Sequence, residues 1–205
     1  MKKIHLIFLS LVAIAAFAFT NSISDFEGKI IYTISFEGAN LPPEAKAMFE
    51  GSEMITYIKE TKSRTDMNMG MQNTTTIRDG KTKSSIILME IMGHKYRIKN
   101  DESIPKEKDP DVTVKYSDDT KEIAGYKCKK AEIIFKDKSG ATQSTTIYYT
   151  ENISNHMGYD TRNSAFKDIK GMPLEFEVQV QNGMKMKVSA KSVNKETVSA
   201  SKFDI

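Results

Sequence analysis

Leu174 to Ala190 reads LEFEVQVQNGMKMKVSA, and this stretch decides the fold. Leu174, Phe176, Val178 and Val180 alternate with Glu175, Glu177 and Gln179. After Asn182-Gly183, Met184, Met186, Val188 and Ala190 alternate with Lys185, Lys187 and Ser189. Successive side chains on a strand point to opposite faces, so a period of two gathers every apolar group on one face. Asn-Gly accepts the positive φ angles of a tight two-residue turn. The stretch is therefore a β-hairpin with one dry face and one wet face.

The same period recurs outward from it. Phe26, Gly28, Ile30, Tyr32, Ile34 and Phe36 share one face of a strand, and Glu27, Lys29, Ile31, Thr33, Ser35 and Glu37 lie on the other. Shorter strands are expected at 54–59, 65–71, 74–78, 85–89, 96–98, 112–116, 121–124, 126–135, 144–149 and, last, 198–203. Asp79-Gly80 marks a further hairpin turn. Residues 100–111 are charged, hold two prolines and read as an exposed loop. Residues 150–172 show no alternation. Pro43 to Glu50 reads as one short helix, with proline in its first turn and Gly51 at its stop. Ala45, Met48 and Phe49 make its apolar stripe, which two turns must bury on something to be stable. These signals predict a mainly β chain: an antiparallel sheet long enough to curl, with the short helix on its concave face.

Lys2 and Lys3 precede an apolar run from Ile4 to Phe19, and Ala16-Phe17-Ala18 offers small residues for cleavage. That predicts a signal peptide over 1–18, cut between 18 and 24, and a single β-rich domain over 19–205. The run is too short and Ala-rich to favour a membrane anchor, so no integral membrane segment is expected in the mature chain. The expected location is periplasmic or secreted. The formal net charge of +3 falls to +1 once Lys2 and Lys3 leave, and Lys and Glu are interspersed. No field of that kind attracts nucleic acid. Cys128 is the only cysteine, so no internal disulfide forms. It reads as a small buried hydrophobe, although Lys127, Lys129 and Lys130 beside it could also depress the thiol pKa.

Three segments carry a resemblance. They are Lys121-Glu122-Ile123-Ala124-Gly125-Tyr126-Lys127-Cys128-Lys129-Lys130-Ala131, Tyr148 to Ile153, and Gly171-Met172-Pro173-Leu174-Glu175-Phe176. Together they resemble exported bacterial proteins of domain of unknown function family 4412. The resemblance implies a fold similar to the periplasmic carriers of outer-membrane lipoproteins, a curled half-barrel with a helix across its concave face. It implies no catalytic residues.

The chain carries 12 Met and no Trp, and Met67, Met69 and Met71 project from one face of one strand. They read either as ordinary packing, as the adaptable lining of a lipid-sized cavity, or as a soft Cu(I) site. With Met48 and Phe49 of the helix they form the expected ligand site. His94 and His156 read as exposed turn residues, far from any nucleophile that would need a base. The expected protein is not an enzyme and takes no cofactor. Its expected partners are a lipid or acyl chain or, if its own side chains fill the sheet, an envelope protein.

Overall fold

The computed structural model describes residues 26–37, 49–70, 72–100, 112–136, 140–157, 164–179 and 184–205. Among them lie eleven strands: β1 (Gly28–Glu37), β2 (Glu53–Lys59), β3 (Lys62–Met69), β4 (Gln72–Asp79), β5 (Ser84–Ile91), β6 (His94–Asn100), β7 (Val112–Ile123), β8 (Tyr126–Lys136), β9 (Thr142–Thr150), β10 (Met172–Gln179) and β11 (Lys185–Lys195). A four-residue helix α1 (Ser164–Lys167) precedes β10, and a 3₁₀ turn η1 (Ala200–Phe203) follows β11. The expected signal segment and nearly all of the 43–50 helix lie outside the described residues. Phe49 is helical, and the Ser52 amide donates to its carbonyl at 3.1 Å. Gly51 sits at φ +76°, the left-handed geometry that glycine supplies at a helix stop.

All eleven strands form one antiparallel sheet, ordered β6-β5-β4-β3-β2-β1-β11-β10-β9-β8-β7. Every neighbour is adjacent in sequence except β1 and β11, which pair from Gly28↔Lys195 to Glu37↔Lys185. Ten antiparallel steps separate β6 from β7, so these two edge strands run in the same direction. An odd count cannot close by antiparallel pairing alone, and the sheet stays open.

The sheet nonetheless rolls on itself through β1 and β7–β11. The Tyr32 hydroxyl donates to the Pro173 carbonyl at 2.9 Å, past the intervening β11. Lys121 of β7 reaches the Glu175 carboxylate of β10 at 2.8 Å. The Tyr116 ring stands edge-on to that of Tyr149, 5.9 Å between centroids. Inside the roll pack Ile30, Tyr32, Ile133, Ile147, Tyr149, Leu174, Phe176 and Val188, all buried. Among the described residues of Leu174–Ala190, Phe176 faces Val188 and Val178 faces Met186. Glu175, expected on the wet face, is buried because Lys121 of β7 covers it, and Val180 and the Asn182-Gly183 turn lie outside the described residues.

Two expectations about the chain are corrected. Residues 150–172, which show no alternation, are not outside the core: among those described, Ile153, His156, Met157, Phe166 and Ile169 are buried, and the Phe166 ring meets Phe176 at 5.1 Å. Asn155 Nδ2 ties the segment together by donating to the carbonyls of Phe166 and Ile169. The segment returns to the sheet at Gly171, where a Cβ would lie 2.0 Å from the Thr150 carbonyl oxygen. Only glycine permits that approach.

The second correction is the last strand. Residues 198–203 do not pair; the Ser199 hydroxyl caps the Ser201 amide and turns the chain into η1. Its two large apolar residues, Val198 and Phe203, pack with Ile77 and Tyr57 in a small second cluster. Tyr57, Arg64 and Ile77 are register partners across β2–β4, so this cluster sits on the face opposite Met54 and Thr56. With serines between them, Val198 and Phe203 supply no alternating face for a strand to bury.

Candidate functional site

The site is the core-side face of β2–β6, built row by row from the register. Met54 pairs with Met67, Met67 with Thr74, Thr74 with Met89 and Met89 with Tyr96. One row over, Thr56, Thr65, Thr76, Ile87 and Ile98 align. Beyond the methionine row, Met69, Gln72, Ile91 and His94 align. Paired residues share a face, and Met54 pairs with Tyr32 of β1. This face therefore continues the core face past the rolled half.

Met67 and Met69 are half-buried and pack against the core cluster. Phe49, also half-buried, stacks on Phe36 with 4.3 Å between ring centroids. Phe36 in turn pairs with Met186. The Ile34 amide donates to Ser52 at 3.3 Å, and Ser52 lies two residues before Met54, as Met69 lies two beyond Met67. Phe36, Phe49, Met69 and Met186 thus gather at one end of the core face. Met67 and Met69 share one face of β3, and Phe49 stacks on Phe36. Met48 and Met71 lie outside the described residues.

The sequence reading missed the polar part of this face. Ser63, Thr65, Thr76, Ser85 and Asn100 are all buried. Thr56 and Thr65 share a hydroxyl hydrogen bond of 3.1 Å, and Asn100 donates to Ser85 at 3.3 Å. Threonine was legible as a strand former but not as a buried residue.

The titratable groups sit in the rolled half. His156 is not an exposed turn residue: it is 4% exposed, and burial lowers its pKa to about 4. Cys128 is fully buried, and desolvation, reinforced by the Glu175 charge, pushes its thiol up to about 11. The neighbouring lysines therefore do not activate it; Lys127 and Lys129 are exposed. Glu175 is buried, yet its carboxyl lies below the usual range. Desolvation opposes that, but hydrogen bonds from Lys121 and Ser189 outweigh it. His94 is exposed at the start of β6. Among the described residues no cluster of His, Cys, Asp or Glu could hold a metal ion, and no helix is long and apolar enough to cross a membrane.

No family model matches the chain, the family 4412 model suggested by the sequence included. No curated protein matches it. Among solved structures it is similar to a domain named as an outer membrane lipoprotein-sorting protein from Vibrio parahaemolyticus. That likeness covers 86% of this chain and 89% of the other at 8% identity, with a TM-score of 0.21. At that level the likeness says nothing about what this chain binds.

Proposed function

We propose that this chain is an exported, non-enzymatic binding protein that holds an apolar ligand, an acyl chain or lipid, on the core-side face of β2–β6. The observation that carries the reading is the continuity of that face. It leaves the packed core at Met54 and runs on through Met67, Met69, Ile87, Met89 and Ile98, all half-buried. Unbranched thioethers repack around a flexible chain at little cost, and each buried CH₂ contributes about 0.8 kcal/mol. The apolar start at Ile4–Phe19 supports export to the periplasm or beyond. The neutral, buried His156 and the protonated Cys128 thiol support a non-enzymatic role, since neither is poised as base or nucleophile.

A second reading has its own support. Tyr32, Tyr149, Phe166 and Phe176 fill the rolled half with the protein's own side chains, as a structural or protein-interaction module of the envelope would. Mass spectrometry of an organic extract from purified protein separates the two. Co-purified lipid, retained by wild type and lost from Met67→Asp, is the expected result. A clean extract, with no uptake of added fatty acid, gives the structural module the lead.

A further inference from the structure

The two sheet edges are not alike. Strand β7 is interrupted by a register shift between Tyr116 and Thr120. Its side chains are tied inward, Tyr116 to the Asp168 carbonyl and Lys121 to Glu175. A bulge and mixed charge protect an edge from pairing. Strand β6 has none of this. It pairs without interruption from Ser85↔Asn100 to Ile91↔His94 and contains no proline. Among the described residues no strand pairs with its outer rim.

Its side chains are sorted by face. Lys95, Arg97 and Lys99 lie on the outer face, and His94, Tyr96 and Ile98 on the core-side face. Lys95 and Arg97 are exposed and make no ion pair with a described residue, and Tyr96 is 52% exposed. A groove of about 370 Å³ runs beside them, with Thr75 and Leu88 among its walls and Glu90 opposite Lys95.

We infer that β6 is a strand-addition site for an extended peptide segment of a partner protein in which acidic and apolar residues alternate. The added strand runs antiparallel to β6 and pairs with the outer backbone groups of His94 to Ile98. Its acidic side chains meet Lys95 and Arg97 along the groove, and its apolar ones meet Tyr96 and Ile98 on the other face. Period-two alternation on the guest is required because the host sorts charge from apolar surface with that same period. This site shares Tyr96 and Ile98 with the outer margin of the ligand face, but its cations, Lys95 and Arg97, lie on the opposite face, and peptide pairing does not depend on the ligand proposed there. Cations on an edge also serve simply to keep other strands away; that role predicts no affinity for any peptide.

The test is fluorescence anisotropy with a labelled peptide alternating Glu and Val, at physiological ionic strength. Two control peptides are used: one alternating Lys and Val, and a Glu–Val peptide N-methylated at every residue so that it has no amide hydrogen left to pair. The Glu–Val peptide is expected to bind, and both controls are not. Arg97→Glu should weaken binding about tenfold, the effect of turning one attractive cross-strand pair into a repulsive one, and should let the Lys–Val peptide bind. Lys95→Glu should act in the same direction; circular dichroism confirms that both variants fold. Absent binding, equal binding of the N-methylated peptide, or an unchanged Arg97→Glu variant overturns the proposal. Displacement of the peptide by phosphatidylglycerol vesicles would instead make β6 a headgroup surface and overturn it too.

Discussion

The rolled half of the sheet and the β3–β6 half bury opposite kinds of residue. In β10 every residue from Met172 to Phe176 is buried, on both faces of the strand, and the 150–172 segment adds four more apolar groups from below. In β3–β6, six residues are buried and five of them are polar: Ser63, Thr65, Thr76, Ser85 and Asn100. The sixth, Ile77, faces the other way, toward Phe203. The large apolar side chains on the core-side face of β5 and β6, Ile87, Met89 and Ile98, are only partly covered. Stability scales with the apolar area removed from water. One half therefore holds the fold together, and the other displays a surface carried on a hydrogen-bonded frame.

The largest test of this division is truncation in the rolled half. Phe176→Ala should cost about 3–5 kcal/mol in urea unfolding, the usual range for a buried Phe. Gly171→Ala should cost at least as much, because its Cβ meets backbone that cannot move aside. If either variant were near wild type, the rolled half would not be the core.

The next test is pH. His156 titrates near its ordinary value when unfolded and at about 4 when folded. Between those values the unfolded chain binds the extra proton, so stability falls as pH drops from about 6.5 to 4. The loss should approach about 3 kcal/mol, since each tenfold difference in proton affinity between the two states is worth about 1.4 kcal/mol. The lowered carboxyls of Glu27, held by Lys59, and Glu175 add their losses only below about 4.5. His156→Asn should flatten the curve between pH 6.5 and 5. An unchanged slope would mean that His156 is not buried neutral.

What the sequence disclosed follows the same division. Where burial alternates with lesser burial, as along Ile30, Tyr32 and Ile34, a period of two made strand and face readable at once. Met67 and Met69 were legible as a pair on one face for the same reason. His156 and the 150–172 segment were not, because irregular backbone buries residues at no fixed spacing; only Ile153, Phe166 and Ile169 among polar neighbours hinted at it. Val198–Phe203 misled because a few apolar residues at a chain end mimic a strand. The buried Ser and Thr rows were invisible because hydroxyls read as polar wherever they lie.

Smaller effects sharpen the comparison. Cys128→Ser puts a hydroxyl in a dry site and should cost about 1–3 kcal/mol. The native thiol should react with iodoacetamide far more slowly than the urea-unfolded chain. Rapid native labelling would contradict its raised pKa. Met89→Ala in β5 should cost about 1 kcal/mol or less, in line with its partial burial. A cost equal to that of Phe176→Ala would mean that β5 belongs to the core after all.

The central claim is that the half-buried methionine face holds an apolar chain. Binding of a fluorescent fatty acid to Met69→Asp, with Lys191→Ala as an exposed control, tests it most directly. A carboxylate placed in an apolar site is strongly disfavoured unless it is paired. Met69→Asp should therefore lose most of its affinity while Lys191→Ala and wild type bind alike, and urea melts should show that the variant remains folded. If folded Met69→Asp binds as well as wild type, or wild type binds no apolar probe, the face is not a ligand site.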